Sequence, residues 1–513
     1  MSCLWVAAAV LFAVKIIQKA AFVFQQCRYQ KRRLLYWLKE HSFLFHKYLL
    51  AHLFLWTVFF LFRHKNILVI GLCIEGLAVL LWRRLADDRP AITARMKRLL
   101  SVCFLLVAVS AWGCSYHFAA MWLYALFFPL WCWILFFAVA LLLTPIEYLI
   151  KRCYVRMAKQ KLRSLRTLKK VGITGSYGKT STKQILLHLI RLEFNTCASP
   201  ASFNNEMGLT RTIREHLKPR HEVFLAEMGA DHVKEITRLA ALIKPSIAII
   251  TGIAPQHLQT FGSMEHILRE KMQLVEALPA NGTAIINMDN PYIRSYAIQN
   301  HCRIIRYGID SADVDLRAVH VKVNHYGTSF LLLYEGQSIP LHTHLLGKQH
   351  VLNILAAIAC ARTLGISWDI IRKRVAQIPD VAHRMQLLCQ RDYYVIDNAY
   401  NSNPASAAYA LEVLSQMKGR KIVMTPGFVD LGDYQKEAHR TFGKQIAQCA
   451  SIVILVGRHQ IQAIYDGLLE ACFAKEAIHI ATDREMAFTI LRRLVKSGDI
   501  VLIENDLPQV FNR

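Results

Sequence analysis

Lys179 stands between a glycine and two hydroxyl residues in the run Gly172-Ile173-Thr174-Gly175-Ser176-Tyr177-Gly178-Lys179-Thr180-Ser181-Thr182. Those residue types at that spacing can hold a phosphate chain. Glycine lets backbone N–H groups come close to anionic oxygens, and a helix starting at Lys179 turns its positive end toward them. Lys179 would bring a mobile charge to the β- and γ-phosphates of a nucleotide, and Thr180 a hydroxyl to Mg²⁺. Gly175, Ser176, Tyr177, Gly178, Lys179, Thr180 and Ser181 are therefore the expected nucleotide-binding residues. The spacing departs from G-x-x-x-x-G-K-[ST] at one point, because Ile173 occupies the first glycine position.

Three further residues have the right chemistry and follow short apolar runs: Glu227 in Ala-Glu-Met-Gly, His257 in Thr-Gly-Ile-Ala-Pro-Gln-His-Leu, and Lys271 in His-Ile-Leu-Arg-Glu-Lys. The elements that must position them are legible. An apolar run ends at Ile173, and Ile185, Leu186, Leu189 and Ile190 give the helical pattern after the loop. Strands are expected at 223–228, 247–252 and 283–287, separated by helical stretches, which argues for a parallel sheet covered by helices. Ligands in such folds collect at the carboxyl ends of strands. A second alternation, with strands at 421–425, 452–456, 477–481 and 500–504, predicts a Rossmann-like C-terminal domain. The expected architecture is a helical transmembrane region, then α/β, with a phosphate-loop ATPase centre.

The chain has 513 residues, a net charge of +26 and 54% hydrophobic residues, with mean hydropathy +0.27. The apolar excess is local: residues up to 150 hold the long apolar runs and only five acids. Five segments, 2–24, 43–62, 66–82, 99–117 and 120–144, approach the ~20 residues that cross a bilayer; a buried core helix is the alternative for the third. Lys and Arg cluster at 28–33, 83–98 and 151–170, which under the positive-inside rule places everything after Pro145 in the cytoplasm. The expectation is a multi-pass protein of the bacterial cytoplasmic (inner) membrane, touching membrane lipid, with cytoplasmic catalytic domains. Its parts are spans at 1–150, a basic juxtamembrane helix at 151–170, an ATPase domain at 171–380 and a C-terminal domain at 381–513. The basic charge does not point to nucleic acid, since no aromatic-plus-basic recognition module is present. The 13 cysteines form no Cys-x-x-Cys pair, so neither a disulfide framework nor structural zinc is indicated.

Taken in order, the motifs resemble the Mur ligase family, the ATP-dependent amide-forming enzymes of peptidoglycan precursor synthesis. Thr174–Thr180 is similar to its T-G-x-x-G-K-[ST] loop. Asn204-Asn205, Glu227 with Gly229, and Thr251 through Leu258 resemble its next three signatures. The resemblance implies Mg²⁺ ligands at Thr180, Glu227, His257 and Lys271, the lysine as a carbamate, and catalytic roles for Lys179, His257 and Lys271. Gly347-Lys348-Gln349-His350-Val351-Leu352-Asn353 keeps the glycine and last asparagine of G-x-H-N-x-x-N, so Asn353 would contact adenine. Arg384, in Ala382-His383-Arg384-Met385-Gln386, resembles the hinge arginine near the ATP phosphates. Asp397, in Asp397-Asn398-Ala399-Tyr400-Asn401-Ser402-Asn403-Pro404, would hold the ribose. This box departs from D-D-x-Y-N-x-N-P at Asn398, and the K-G-S-R segment is replaced by Glu504-Asn505-Asp506-Leu507-Pro508. Thr425–Gly432 resembles the loop of the D-alanyl-D-alanine-adding branch.

The implied reaction is activation of a muramyl-peptide carboxylate by ATP as an acyl phosphate, followed by attack of an amine such as D-Ala-D-Ala. Because apolar runs occupy the place of the family's UDP-sugar-binding domain, a lipid-linked precursor is an alternative to a soluble small molecule. A nucleotide-binding sensor or scaffold with a degenerate ligase fold is a third reading. Protein partners are not indicated.

Overall fold

Short apolar runs closed by Gly, Asn or Asp become strands because each is buried on both faces once helices cover the sheet. In the computed structural model these are Lys169–Thr174 (β1), Thr196–Ala198 (β2), Val223–Glu227 (β3), Ile247–Ile250 (β4), Thr283–Asn287 (β5), Arg303–Gly308 (β6), Leu316–Asn324 (β7), Gly327–Tyr334 (β8) and Gln337–Thr343 (β9). The structure describes all residues except 1, 28, 30–33, 35–36, 38–51, 59–63, 82–89, 202, 391, 401, 458–459 and 507–513. The nine strands form one sheet in the order β2-β3-β1-β4-β5-β6-β7-β8-β9. It is parallel through β7, and then β7, β8 and β9 run antiparallel. The antiparallel extension differs from the wholly parallel expectation; the alternating burial of β7 and β9 shows one face left to solvent, as such meanders allow.

A second sheet contains Gln386–Cys389 (β10), Tyr394–Asn398 (β11), Lys421–Thr425 (β12), Ile452–Val456 (β13), Ile478–Ala481 (β14) and Ile500–Glu504 (β15). Its order is β10-β11-β15-β12-β13-β14, with β10 antiparallel and the rest parallel. The helix Gly347–Thr363, buried from Val351 to Ala361, packs against the first sheet. Both sheets belong to one compact unit, Tyr154–Arg513.

Residues Met1–Cys153 form a separate unit. In the helix Ser2–Gln26, Trp5, Ala9, Phe12, Ala13, Ile16, Ile17 and Ala20 recur at helical spacing and are buried against Leu68, Leu72, Cys103, Val107 and Phe136. Helix Lys65–Leu81 carries a buried acid, Glu75, which binds His52 at 2.6 Å and Trp56 at 2.7 Å. The five-span, multi-pass inner-membrane placement does not hold, because too few of the expected segments are long apolar helices. Among the described residues only Ser2–Gln26 and Ala94–Cys114 are single helices long and apolar enough to cross a membrane. Lys65–Leu81 has 17 residues, and most of 43–62 lies outside the described residues. The fifth segment is broken by 76° between Phe118–Leu126 and Phe128–Leu142; Pro129 sits in the first turn of the second helix, where its missing N–H does least harm.

The basic stretch after residue 150 is largely helical, as expected. It belongs to a helix, Thr144–Ser164, whose Ala158 and Leu162 pack into a core with Leu168, Leu209, Ile213 and Leu217. Lys161 Nζ donates to the Arg214 carbonyl at 3.0 Å. Its C-terminal apolar residues therefore serve the α/β unit, whereas Ile146, Tyr148, Leu149 and Met157 are exposed.

Close helix packing in the second lobe depends on glycine. A Cβ on Gly443, in helix Gln435–Ala447, would lie 2.2 Å from the Ile464 carbonyl oxygen in helix Gln462–Glu470. Gly443→Ala is expected to destabilise the fold by roughly 1–3 kcal/mol through overpacking, read as a lower midpoint in chemical denaturation.

Candidate active site

β1 delivers Thr174 to the turn, where Gly175 has φ +155° and Gly178 φ +80°. A side chain on Gly175 would meet Thr251 Oγ1 at 2.1 Å, and one on Gly178 would meet Asn353 Oδ1 at 2.5 Å. Both positions therefore exclude a Cβ. The helix Lys179–Ile190 starts at once. Ser176 N donates to the Gly252 carbonyl at 2.6 Å, and Ser176 Oγ pairs with Ala254. The ends of β1 and β4 thus hold the loop open toward a cleft.

The cleft is lined by residues 176–181, Asn204, Glu227, Gln256, Gln349, His350, Asn353, Arg384, Met385, Asn398, Tyr400 and Ser406. Its charged centre is Glu227, 1% exposed at the end of β3. Glu227 Oε1 accepts from Thr180 Oγ1 and Asn204 Nδ2, each at 3.1 Å, and Oε2 accepts from Lys183 Nζ at 2.9 Å. Burial raises its pKa, but Lys183 and Lys179 more than offset this and hold the carboxyl below its ordinary value. Arg384 reaches Thr180 Oγ1 at 3.4 Å and lies over the Tyr400 ring at 4.5 Å. Lys179 Nζ donates to the Gly175 carbonyl at 2.6 Å, and burial lowers its pKa to about 8. Lys271 is 2% exposed; burial, then repulsion from Lys179, lower it to about 7, with Glu270 opposing.

The expected residues are distributed unevenly. Thr180 and Glu227 are in contact, and Lys271 is buried close enough to Lys179 to feel its charge. His257 is outside the cleft lining. It lies in the left-handed region at φ 54°, with Nε2 3.2 Å from Asp231 and Nδ1 3.4 Å from Asp430, which follows β12 in the other sheet. Asn353 Oδ1 accepts from Thr182 Oγ1 at 3.2 Å, so the structure puts it beside the phosphate loop. His350 is buried, with Nε2 3.1 Å from the Arg384 carbonyl, and burial lowers its pKa to about 4. Asp397 binds His383 Nδ1 at 2.8 Å and the Ala399 N–H at 3.1 Å; Asn398, not Asp397, lines the cleft. Sequence reasoning missed Lys183, although it stands four residues after Lys179 and hence on the same helix face.

A glycine-rich loop at a sheet end, faced by a buried carboxylate and an arginine from the following lobe, defines a nucleotide-phosphate site between two α/β lobes. Residues 173–361 match the Mur ligase middle domain, and residues 383–504 match the Mur ligase glutamate ligase domain; the chain belongs to the Mur ligase family. It is similar to UDP-N-acetylmuramoyl-tripeptide–D-alanyl-D-alanine ligase of Escherichia coli, with 29% identity over 292 residues, covering 56% of this chain and 64% of that protein. The enzyme of the same name from Mycobacterium bovis is 29% identical over 357 residues, covering 65% and 69%. Among solved structures, MurF ligase from Thermotoga maritima in complex with ADP has a TM-score of 0.63 at 24% identity, covering 69% of this chain and 80% of that one. The chain thus spans just under two thirds of the E. coli relative's length. The relatives' names specify a UDP-N-acetylmuramoyl-tripeptide and D-alanyl-D-alanine.

Removing Glu227 would leave the Lys183 ammonium buried without a counter-charge. Glu227→Ala is expected to cost roughly 3–5 kcal/mol in denaturant unfolding, with a large part recovered in Glu227→Ala/Lys183→Met. Because the folded carboxyl titrates below its unfolded value, its contribution is full at neutral pH and lost as pH falls through that lowered value. The stability gap between wild type and the double variant should therefore shrink only in acid.

Proposed function

We propose that this chain is an ATP-dependent carboxylate–amine ligase of peptidoglycan precursor synthesis, with an ATPase domain at 171–380 and a Rossmann-like C-terminal domain at 381–513. The observation that carries the reading is the convergence of Lys179, Thr180, Glu227 and Arg384, from both lobes, on one phosphate loop. In the reaction, a substrate carboxylate oxygen bonds to the γ-phosphorus of ATP and ADP leaves. An amine nitrogen then bonds to the acyl carbon of the acyl phosphate, and phosphate leaves. The relatives' names support UDP-muramyl-tripeptide as the carboxylate and D-Ala-D-Ala as the amine. They give no support to a lipid-linked precursor.

Positioning and charge account for the chemistry. The loop N–H groups orient the phosphates, and Lys179 and Arg384 offset negative charge on the transferring group. Magnesium fits in a limited sense. Thr180 and Glu227 provide a hydroxyl and a carboxylate at the loop, and this ion is commonly held by one or two carboxylates plus substrate phosphates. No group of three His, Cys, Asp or Glu side chains among the described residues could hold a metal by itself, so the ion would arrive with the nucleotide and be held by Thr180 and Glu227, where it would neutralise phosphate charge. Lys271, with its pKa depressed to about 7, presents a free amine at neutral pH, the form that carbamylation requires. His257, held between Asp231 and Asp430, would need to be released to join such a site.

Purified protein with ATP, UDP-muramyl-tripeptide and D-Ala-D-Ala is expected to release phosphate only when both co-substrates are present, with the ligated peptide visible by mass spectrometry. Release independent of both would defeat the proposal. Full biological activity in Lys179→Ala and Lys271→Ala variants would instead favour a nucleotide-binding sensor. Lys271→Met is expected to fold with equal or greater thermal stability, since it relieves a buried amine, while ligation falls by about 10²-fold or more.

A further inference from the structure

The two departures from the family pattern in the C-terminal lobe lie against each other. Asn398, at the end of β11, is paired with Glu504 at the end of β15 and donates its side-chain amide to Glu504 Oε2 at 2.9 Å. Ser402 Oγ donates to Glu504 Oε1 and lies 2.9 Å from Ser406 Oγ. Asn398 and Ser406 line the cleft, whereas Glu504 is 0% exposed. Two hydroxyls therefore connect the cleft wall to a buried carboxyl.

That carboxyl is held by neutral groups. The charged residues nearest along the packed elements are Asp397, paired with His383, and Asp506, paired with Arg484 at 2.6 Å. Burial raises Glu504 to about 7, opposed by the hydrogen bonds from Ser402 and Asn398, so it can exchange a proton near neutral pH. The Arg384 guanidinium lies over Tyr400 and reaches Thr180, while Met385 N–H donates to Asn398 Oδ1 at 3.3 Å, so the Asn398–Ser406 wall adjoins the arginine and itself carries no charged side chain in the cleft lining.

We propose that Glu504 accepts the proton shed by the amine donor, through Ser406 and Ser402. This rests on the ligase reading and adds to it the route by which an ammonium becomes a nucleophile. The donor –NH₃⁺ gives a proton to Ser406 Oγ while Ser406 passes its own to Ser402 and Ser402 passes its own to the Glu504 carboxylate. The freed lone pair forms the C–N bond, the acyl C–O bond breaks with its electrons going to phosphate, and the second proton leaves with that phosphate. Glu504 touches no substrate and acts as a positioning and proton-holding residue.

The test compares two nucleophiles on the full chain with ATP and UDP-muramyl-tripeptide: D-Ala-D-Ala, an ammonium near neutral pH, and hydroxylamine, already neutral there. Glu504→Gln, which preserves shape and one of the two accepted hydrogen bonds but cannot take up a proton, is expected to lower kcat with D-Ala-D-Ala by about 10²-fold while hydroxamate formation stays within twofold of wild type. The wild-type acid limb near pH 7 should disappear from its profile. Ser402→Ala should show the same selective loss. Equal activity of Glu504→Gln with D-Ala-D-Ala, or equal loss with both nucleophiles, would overturn the relay. Wild-type protein forming neither the ligated peptide nor the hydroxamate would overturn the ligase reading and the relay with it.

Discussion

One buried carboxylate organises the α/β unit. Glu227 sits at the end of β3 with nearly all its surface removed from water, a position that an isolated charge could not hold. It is tolerable because Lys183 comes from the helix that follows the phosphate loop, and because Thr180 and Asn204 supply hydrogen bonds to the other oxygen. The loop, the first helix and the β3 end are therefore locked together by a single charge-balanced cluster. The same cluster depresses the proton affinity of Glu227, keeping it ionised where a cation or a phosphoryl group would be handled.

The second lobe contributes by reaching into that cluster. Arg384 lies just before β10, and its guanidinium is aimed at Thr180 and stacked over Tyr400. His257 and Asp430 make another connection between the two sheets. Apolar contacts join the lobes as well: Leu346 is buried in one cluster with Ile396, Leu411 and Val413, and Tyr409 packs against the core of the first sheet.

Charge around the cleft is asymmetric. At the phosphate loop, lysine and arginine prevail, with pKa values lowered chiefly by burial. Beside Arg384 and the Tyr400 ring stand Asn398 and Ser406, with a carboxyl behind them that burial pushes toward neutrality.

Local order was legible in the residues themselves. The glycine, lysine and threonine of the loop had to sit where a strand ends and a helix starts, because their φ angles and close contacts permit nothing else. The strands at 283–287, 421–425, 452–456 and 500–504 follow from short apolar runs between breakers. Periodicity could not say what covers an apolar face. The helix Ser2–Gln26 is long and apolar enough to span, and its stripe packs against other helices, while the 144–164 helix turns Ala158 and Leu162 into the α/β core. Tertiary structure alone decided that His257 meets Asp231 and Asp430 rather than lining the cleft, that Lys183 neutralises Glu227, and that Asn398 and Glu504, 106 residues apart, share a hydrogen bond. The reason is that hydrogen bonds and ion pairs act over a few ångströms, while the sequence separations that produce them are set by the order in which strands enter a sheet.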